Sequence, residues 1–128
     1  MKRLIIGLVM LFGIIGIAAA EDKHATVKVS SENFAELRQN TPLLVVDFWA
    51  TWCGPCLRLA PILEEVAASM KGEVVIGKCD VDENRALAQS FGIRSIPTLI
   101  FFKDGKKVEQ HSGLLSREAL VAKIKAHL

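Results

Sequence analysis

Cys53 and Cys56 are separated only by Gly54 and Pro55, in the stretch "DFWATWCGPC". Thiols at that spacing can join in a disulfide, and a thiolate at one of them can exchange with a disulfide elsewhere. The position favours such chemistry. The residues before Cys53 read as a strand and those after Cys56 as a helix. Cys53 therefore falls at a helix N-terminus, where unpaired N–H groups and a partial positive charge stabilise a thiolate. Gly54 keeps the approach to Cys53 open, and Pro55 suits a first helical turn, where its missing N–H is not needed. Cys56 faces the same side and can attack a mixed disulfide formed at Cys53. A structural bridge gains most by closing a long loop, and this pair closes a very short one. Zinc is the rival reading of C-x-x-C, but it needs a second pair of ligands. Cys79 stands alone, and His24, His111 and His127 show no ligand spacing. No metal site is expected, and no cofactor beyond the cysteine pair itself.

The elements that must hold this pair can be read on either side of it. "TVKVS" alternates and predicts a short strand. "SENFAELRQN" predicts a short helix capped by Ser30 or Ser31. "LLVVDFWA" is a continuous apolar run and reads as a central buried strand. "LRLAPILEEVAASM" repeats apolar residues at helical spacing; Pro61 should kink that helix, and Lys71 and Gly72 end it. "EVVIGKCDVD" predicts a strand, and "ENRALAQSFG" a helix stopped by Gly92. "TLIFFK" and "KKVEQHS" form a hairpin about Asp104 and Gly105. "SREALVAKIKAHL" closes the chain as an amphipathic helix with Leu120, Val121, Ile124 and Leu128 inward. The order β-α-β-α-β-α-β-β-α implies an α/β fold: a mixed central sheet with helices on both faces.

The 128 residues suffice for one domain and little else. Residues 1–20 begin with Lys2 and Arg3, continue in an apolar run from Leu4, and end in Ala18, Ala19 and Ala20. That is the layout of a secretory signal peptide cleaved after Ala20. Its rival is an uncleaved anchor over residues 4–20, a stretch at the lower edge of what spans a bilayer. On either reading residues 21–128 form one exported domain. Without Lys2 and Arg3 its basic and acidic residues are equal in number. No basic patch argues for nucleic acid.

Taken together, "VVDFWATWCGPC", "KCDVDEN", "GIRSIPTLIFFKDG" and Gly113 resemble the thioredoxin family over residues 26–128. The resemblance implies the thioredoxin fold and a monomeric protein-disulfide reductase working by dithiol–disulfide exchange. In that reading Cys53 attacks a substrate disulfide and Cys56 resolves the mixed disulfide. Pro97 corresponds to the family's cis-proline beside the cysteines, and the Ile96 backbone to the strand that pairs with an extended substrate. Trp52, Gly54, Pro55, Ile96, Pro97 and Gly113 then make an apolar docking rim for protein disulfides. Asp47 lies in an apolar run where ionisation is unfavourable and the pKa should rise. Either it reaches water from a strand edge or, as the resemblance implies, it is a buried proton acceptor for Cys56 with Lys78 as its partner. For an exported member, the resemblance further implies a membrane thiol transporter as electron donor, in a periplasm-like compartment. Gly-Pro between the cysteines is the dipeptide of reducing members, and the helical insertion of oxidising relatives is absent. A dedicated reductant for cytochrome c maturation, a disulfide oxidant and a non-catalytic binding subunit remain as alternatives.

Two positions depart from the family pattern and bear on partner preference. Leu57 stands where many members carry a lysine, and Ser112 where an apolar residue is common. Strand alternation sends Cys79 to the face opposite Lys78, as a small buried hydrophobe; a regulatory or intermolecular thiol is the other reading. His111 is expected on an edge strand facing solvent. Lys103, Lys106 and Lys107 read as a solvated turn that guards a sheet edge. Trp49 reads as packing beneath the cysteines.

Overall fold

The structure is a computed structural model and describes residues 24–128. The leader and its cleavage point lie outside the described residues. Five strands and four helices follow the expected order: β1 (Val27–Lys28), α1 (Phe34–Asn40), β2 (Leu43–Trp49), α2 (Gly54–Ser69), β3 (Val75–Asp80), α3 (Arg85–Ser90), β4 (Thr98–Lys103), β5 (Lys106–Ser112) and α4 (Arg117–Lys125). The sheet order is β1-β3-β2-β4-β5. β3 runs parallel to both β1 and β2, while β4 is antiparallel to β2 and β5. β2 is central because every residue but Trp49 is buried, as its continuous apolar run requires of a strand covered on both faces.

Strand alternation divides the core in two. Leu43 and Val45 of β2 pack with Leu59, Leu63 and Val66 of α2 and Leu120 and Ile124 of α4. Leu44, Val46 and Phe48 turn the other way, toward Phe34 of α1 and Ala88 of α3. On that second face Phe91 meets Phe34 and Phe102 edge-on, with ring centroids 5.5 and 5.6 Å apart. The hairpin between β4 and β5 turns on Asp104 (φ 51°) and Gly105 (φ 83°), two successive positive φ values that match the right-handed twist of the strands. Arg38 of α1 fixes this hairpin. Its Nε donates to the Gly105 carbonyl at 2.8 Å, and its guanidinium lies 4.9 Å from the Phe102 ring centroid.

Four local expectations change. β1 is only two residues long, because a turn at residues 31–33 ends it early. α1 starts later than its serines: Asn33 occupies the cap position without a capping bond, and its Oδ1 accepts from the Ser30 amide at 2.8 Å. Leu128 is 54% exposed, because α4 ends at Lys125 and the last residues leave the apolar stripe. His111 lies on edge strand β5 as expected, but it is half-buried and its Nε2 is enclosed without a hydrogen-bond partner.

Candidate active site

The end of β2 and the start of α2 bring the two cysteines to one edge of the sheet. The Cys53 amide donates to the Ala50 carbonyl at 3.2 Å, and the Cys53 carbonyl accepts from the Leu57 amide at 3.1 Å. Those bonds make Cys53 the N-cap of α2, with φ −92° and ψ 111°. Its Sγ accepts from the Cys56 amide at 3.2 Å, one of the donors that a helix start leaves unpaired. Cys53 and Cys56 are joined in a disulfide, with Cα atoms 5.2 Å apart. Gly54 and Pro55 form the first turn and are exposed. Cys53 is 5% exposed and Cys56 1%, so even the outer sulfur is largely covered by its surroundings. Ala50 packs beside the cysteines, with Trp49, Val81 and Ile96 around them.

A second loop closes over the pair. The Ile96–Pro97 peptide is cis, and the Ile96 carbonyl oxygen lies 3.7 Å from Cys53 Sγ. The Pro97 carbonyl accepts from the Gly113 amide at 2.8 Å, which ties this loop to the end of β5. Gly113 has φ +100°, a backbone conformation that other L-residues rarely adopt. Thr98 Oγ1 donates to the Ser95 carbonyl at 2.7 Å and lies 3.1 Å from Ser112 Oγ, so the polar Ser112 has a partner inside the rim. Trp52 and Leu57 stand out from this surface, 68% and 53% exposed, and Leu114 follows Gly113 at 44%. Trp52 Nε1 donates to Asp82 Oδ2 at 2.8 Å, which steadies an otherwise open indole. Gly54 and Pro55 lie between the bonded cysteines, the Ile96 carbonyl faces the outer sulfur, and Gly113 is tied to Pro97. Asp82 was not foreseen, because the bond joins residues thirty apart on two loops.

Asp47 is fully buried, and neither carboxylate oxygen has a hydrogen-bond partner. Burial pushes its pKa up to about 7, against the attraction of Lys78, which pulls it down. The strand-edge reading of Asp47 is thereby excluded. Lys78 is its register partner on β3. The lysine does not bond the carboxylate; its Nζ sits 4.3 Å from the centroid of the Trp49 ring. Cys79, one residue on, faces the opposite side with Val29, Phe34 and Phe48. Its burial, with Asp80 and then Asp47 nearby, pushes its thiol up to about 11. Among the described residues no cluster of His, Cys, Asp or Glu could hold a metal ion.

One more side chain was missed by the sequence reading. Glu64 of α2 accepts from the Ala25 amide and from Thr26 Oγ1, the latter at 2.9 Å, and so joins the helix to the start of the described chain. The available signal was a carboxylate two helical turns beyond Cys56 on the flank of an otherwise apolar face.

A disulfide at a helix N-terminus, a cis-proline loop against its outer sulfur and a buried carboxylate on the adjoining strand define a dithiol–disulfide exchange protein. The thioredoxin family model matches residues 25–126, so the chain belongs to the thioredoxin family. A thioredoxin of Staphylococcus saprophyticus is 50% identical over 104 residues, which are 81% of this chain and 99% of that one. A thioredoxin of Mycobacterium tuberculosis is 47% identical over 105 residues, covering 80% and 90%. Among solved structures, a mutant thioredoxin from Halobacterium salinarum NRC-1 matches with a TM-score of 0.75 and 34% identity, over 84% of this chain and 95% of that one. The protein is a thioredoxin-type oxidoreductase, a protein-disulfide reductase whose redox group is its own cysteine pair.

Proposed function

We propose that this thioredoxin works outside the cytoplasm as a monomeric reductant of protein disulfides, supplied with electrons by a membrane thiol transporter. The observation that carries the redox role is the Cys53–Cys56 disulfide at the cap of α2, under the Ile96–Pro97 loop. Export is supported by Lys2 and Arg3, the apolar run after them and the alanines at 18–20. A cytosolic reductase does not reach an exported domain, so the donor must span the membrane.

In the reduced protein the Cys53 thiolate attacks one sulfur of the substrate disulfide. That S–S bond breaks, a mixed disulfide forms, and the first substrate thiolate leaves. Cys56 then loses its proton to Asp47 and attacks Cys53 Sγ. The mixed disulfide breaks, the second substrate thiolate leaves, and the bond between Cys53 and Cys56 forms. Two electrons have passed to the substrate. Asp47 suits this role because its carboxyl titrates near neutral pH and lacks any hydrogen bond to occupy it. Lys78 places a cation close enough to favour the ionised acceptor. The Ile96 backbone is the strand that an extended substrate pairs with. Trp52, Gly54, Pro55, Pro97 and Gly113 form the surface on which it lies.

The deciding measurement is the reduction potential of the pair, from equilibration in graded thiol–disulfide buffers. A value near the established thioredoxin figure of about −270 mV is expected. One near about −120 mV, typical of a strong periplasmic oxidant, would reverse the reading and make the protein a disulfide donor. Mass spectrometry of the protein from its native host tests export separately, with a mature N-terminus at Glu21 expected.

A further inference from the structure

Lys78 has two acceptors beside it on β2. Asp47 lies directly across, as its register partner, and Trp49 lies two residues further along the same face. The ammonium takes the ring. Its Nζ stands 4.3 Å from the centroid of the Trp49 ring, and neither Asp47 oxygen receives a hydrogen bond. Among the described residues no carboxylate lies within ion-pair distance of Lys78, and the indole face is what its charge rests on.

The two seats differ in hydration. Trp49 and Lys78 both line an open groove of about 760 Å³ between α2 and the sheet margin, so an ammonium over the ring keeps part of its water. Asp47 is fully buried. An ammonium drawn against it would give up that water, and a buried ion pair repays such a loss only with good geometry and further hydrogen bonds. The π face attracts the cation at the edge of the groove instead. The ring is itself braced, half-buried at the end of β2 and packed against the cluster of Ala50, Cys53 and Cys56.

We propose that Trp49 is a positioning residue for the proton step: its ring holds the Lys78 ammonium away from the Asp47 carboxylate, and so keeps that carboxylate basic enough to take the Cys56 proton. The inference rests on Asp47 being that acceptor. A cation favours the charged form of a carboxylate and makes it a weaker base, more strongly the closer it stands. From its present seat Lys78 already lowers the Asp47 pKa without overcoming burial. Freed from the ring, its flexible stem would let the ammonium close on Asp47 and lower it further. The other charged or titratable groups on this face are Asp80 from β3, Cys56 and Glu64 from α2, Lys28 from β1, and His111 from β5, two strands from Asp47 across Leu99. His24 and Glu83 stand at the groove margin. Among the described cations Lys78 alone is seated on the Trp49 ring.

Trp49→Leu removes the ring and keeps an apolar side chain. It could also lower the Asp47 pKa by admitting water, and the same change in a Lys78→Met background separates the two routes. The readout is an NMR titration of the Asp47 carboxyl in the oxidised full-length protein, alongside the pH profile of the resolution step. With the lysine present, Trp49→Leu is expected to lower the Asp47 midpoint by about one pH unit, a tenfold change in its ionisation equilibrium. In the Lys78→Met protein, whose midpoint starts higher, adding Trp49→Leu should leave it unmoved. An unmoved midpoint in Trp49→Leu alone overturns the inference. An equal fall in both backgrounds does the same, by assigning the effect to water. Should Trp49→Leu not fold, Trp49→Phe, whose ring draws a cation less strongly, must still lower the midpoint by a smaller amount when Lys78 is present, and no change overturns the inference equally. The resolution profile should move with the midpoint. A midpoint that moves while the kinetic profile stays put leaves the lysine's seat standing and removes Asp47 from the proton step.

Discussion

Asp47 and Lys78 are register partners on adjacent parallel strands, yet no hydrogen bond joins them. The lysine ammonium rests over the Trp49 ring while the carboxylate oxygens go unpaired. Attraction through space moderates the burial of Asp47 without cancelling it, and its pKa stays near 7 instead of the ordinary 3.8. A buried acid left in that state weakens the fold when it ionises, and in the proposed mechanism it is the group that takes the Cys56 proton.

Stability should carry the mark of this carboxyl. Asp47 holds its proton more tightly when folded, with a pKa of about 7, than when unfolded, at 3.8. Its contribution is therefore fully present below about pH 4, is lost as pH rises to about 7, and stays lost above. The swing amounts to about 4 kcal/mol at most. Asp47→Ala should be more stable than the native protein at pH 8, and the difference should shrink toward pH 4. Denaturant unfolding of the oxidised protein at pH 4, 6 and 8 checks this; a difference that does not vary with pH would show that Asp47 ionises freely in the fold.

The same substitution should divide the catalytic cycle. In the proposed mechanism, attack by Cys53 on a disulfide does not call on Asp47, whereas resolution by Cys56 does. Single-turnover kinetics of Asp47→Ala at neutral pH should show resolution slowed by on the order of 10²-fold, the low end for loss of a general base. Equal slowing of both steps would assign Asp47 a structural part only.

Cys79 should be inert in the native protein. It is fully buried, and its thiol is pushed up to about 11. Alkylating reagents at pH 8 should label it at the rate of unfolding, so denaturant should accelerate labelling steeply. Rapid labelling without denaturant would contradict this packing and revive a regulatory role.

Much of this was legible in the sequence because its signals were local. "TLIFFK" and "KKVEQHS" matched their strands residue for residue, since Asp104 and Gly105 fix the turn between them. The family resemblance paired Lys78 with Asp47, and alternation then sent Cys79 to the opposite face, because a strand period of two leaves little freedom. Contacts between distant segments gave no such signal. The Glu64 tie to Thr26, the Trp52 bond to Asp82 and the seat of Lys78 on Trp49 each depend on how helices and loops come to rest against the sheet. The chain end failed for a different reason: apolar periodicity runs through Leu128, but α4 ends at Lys125 and leaves that residue exposed.

Gly77 offers a test of packing on the face that the site does not use. A Cβ there would run into Val29 Cγ2, on the neighbouring segment. Gly77→Ala should destabilise the protein by about 1–3 kcal/mol, the usual range for forcing volume into a filled core. Thermal unfolding measures the loss, and adding Val29→Ala should recover part of it. Additive losses in the double variant would mean that the strands separate without contest between these two positions.

The cystine spans only three positions of chain. A ring that small removes little freedom from the unfolded polypeptide, about 2 kcal/mol by the chain-entropy relation, against about 5 for a loop of a hundred residues. Making or breaking it leaves the sheet and both cores to stand on their own packing. The molecule can thus be charged and discharged over many rounds as a durable electron carrier, with no round requiring it to refold.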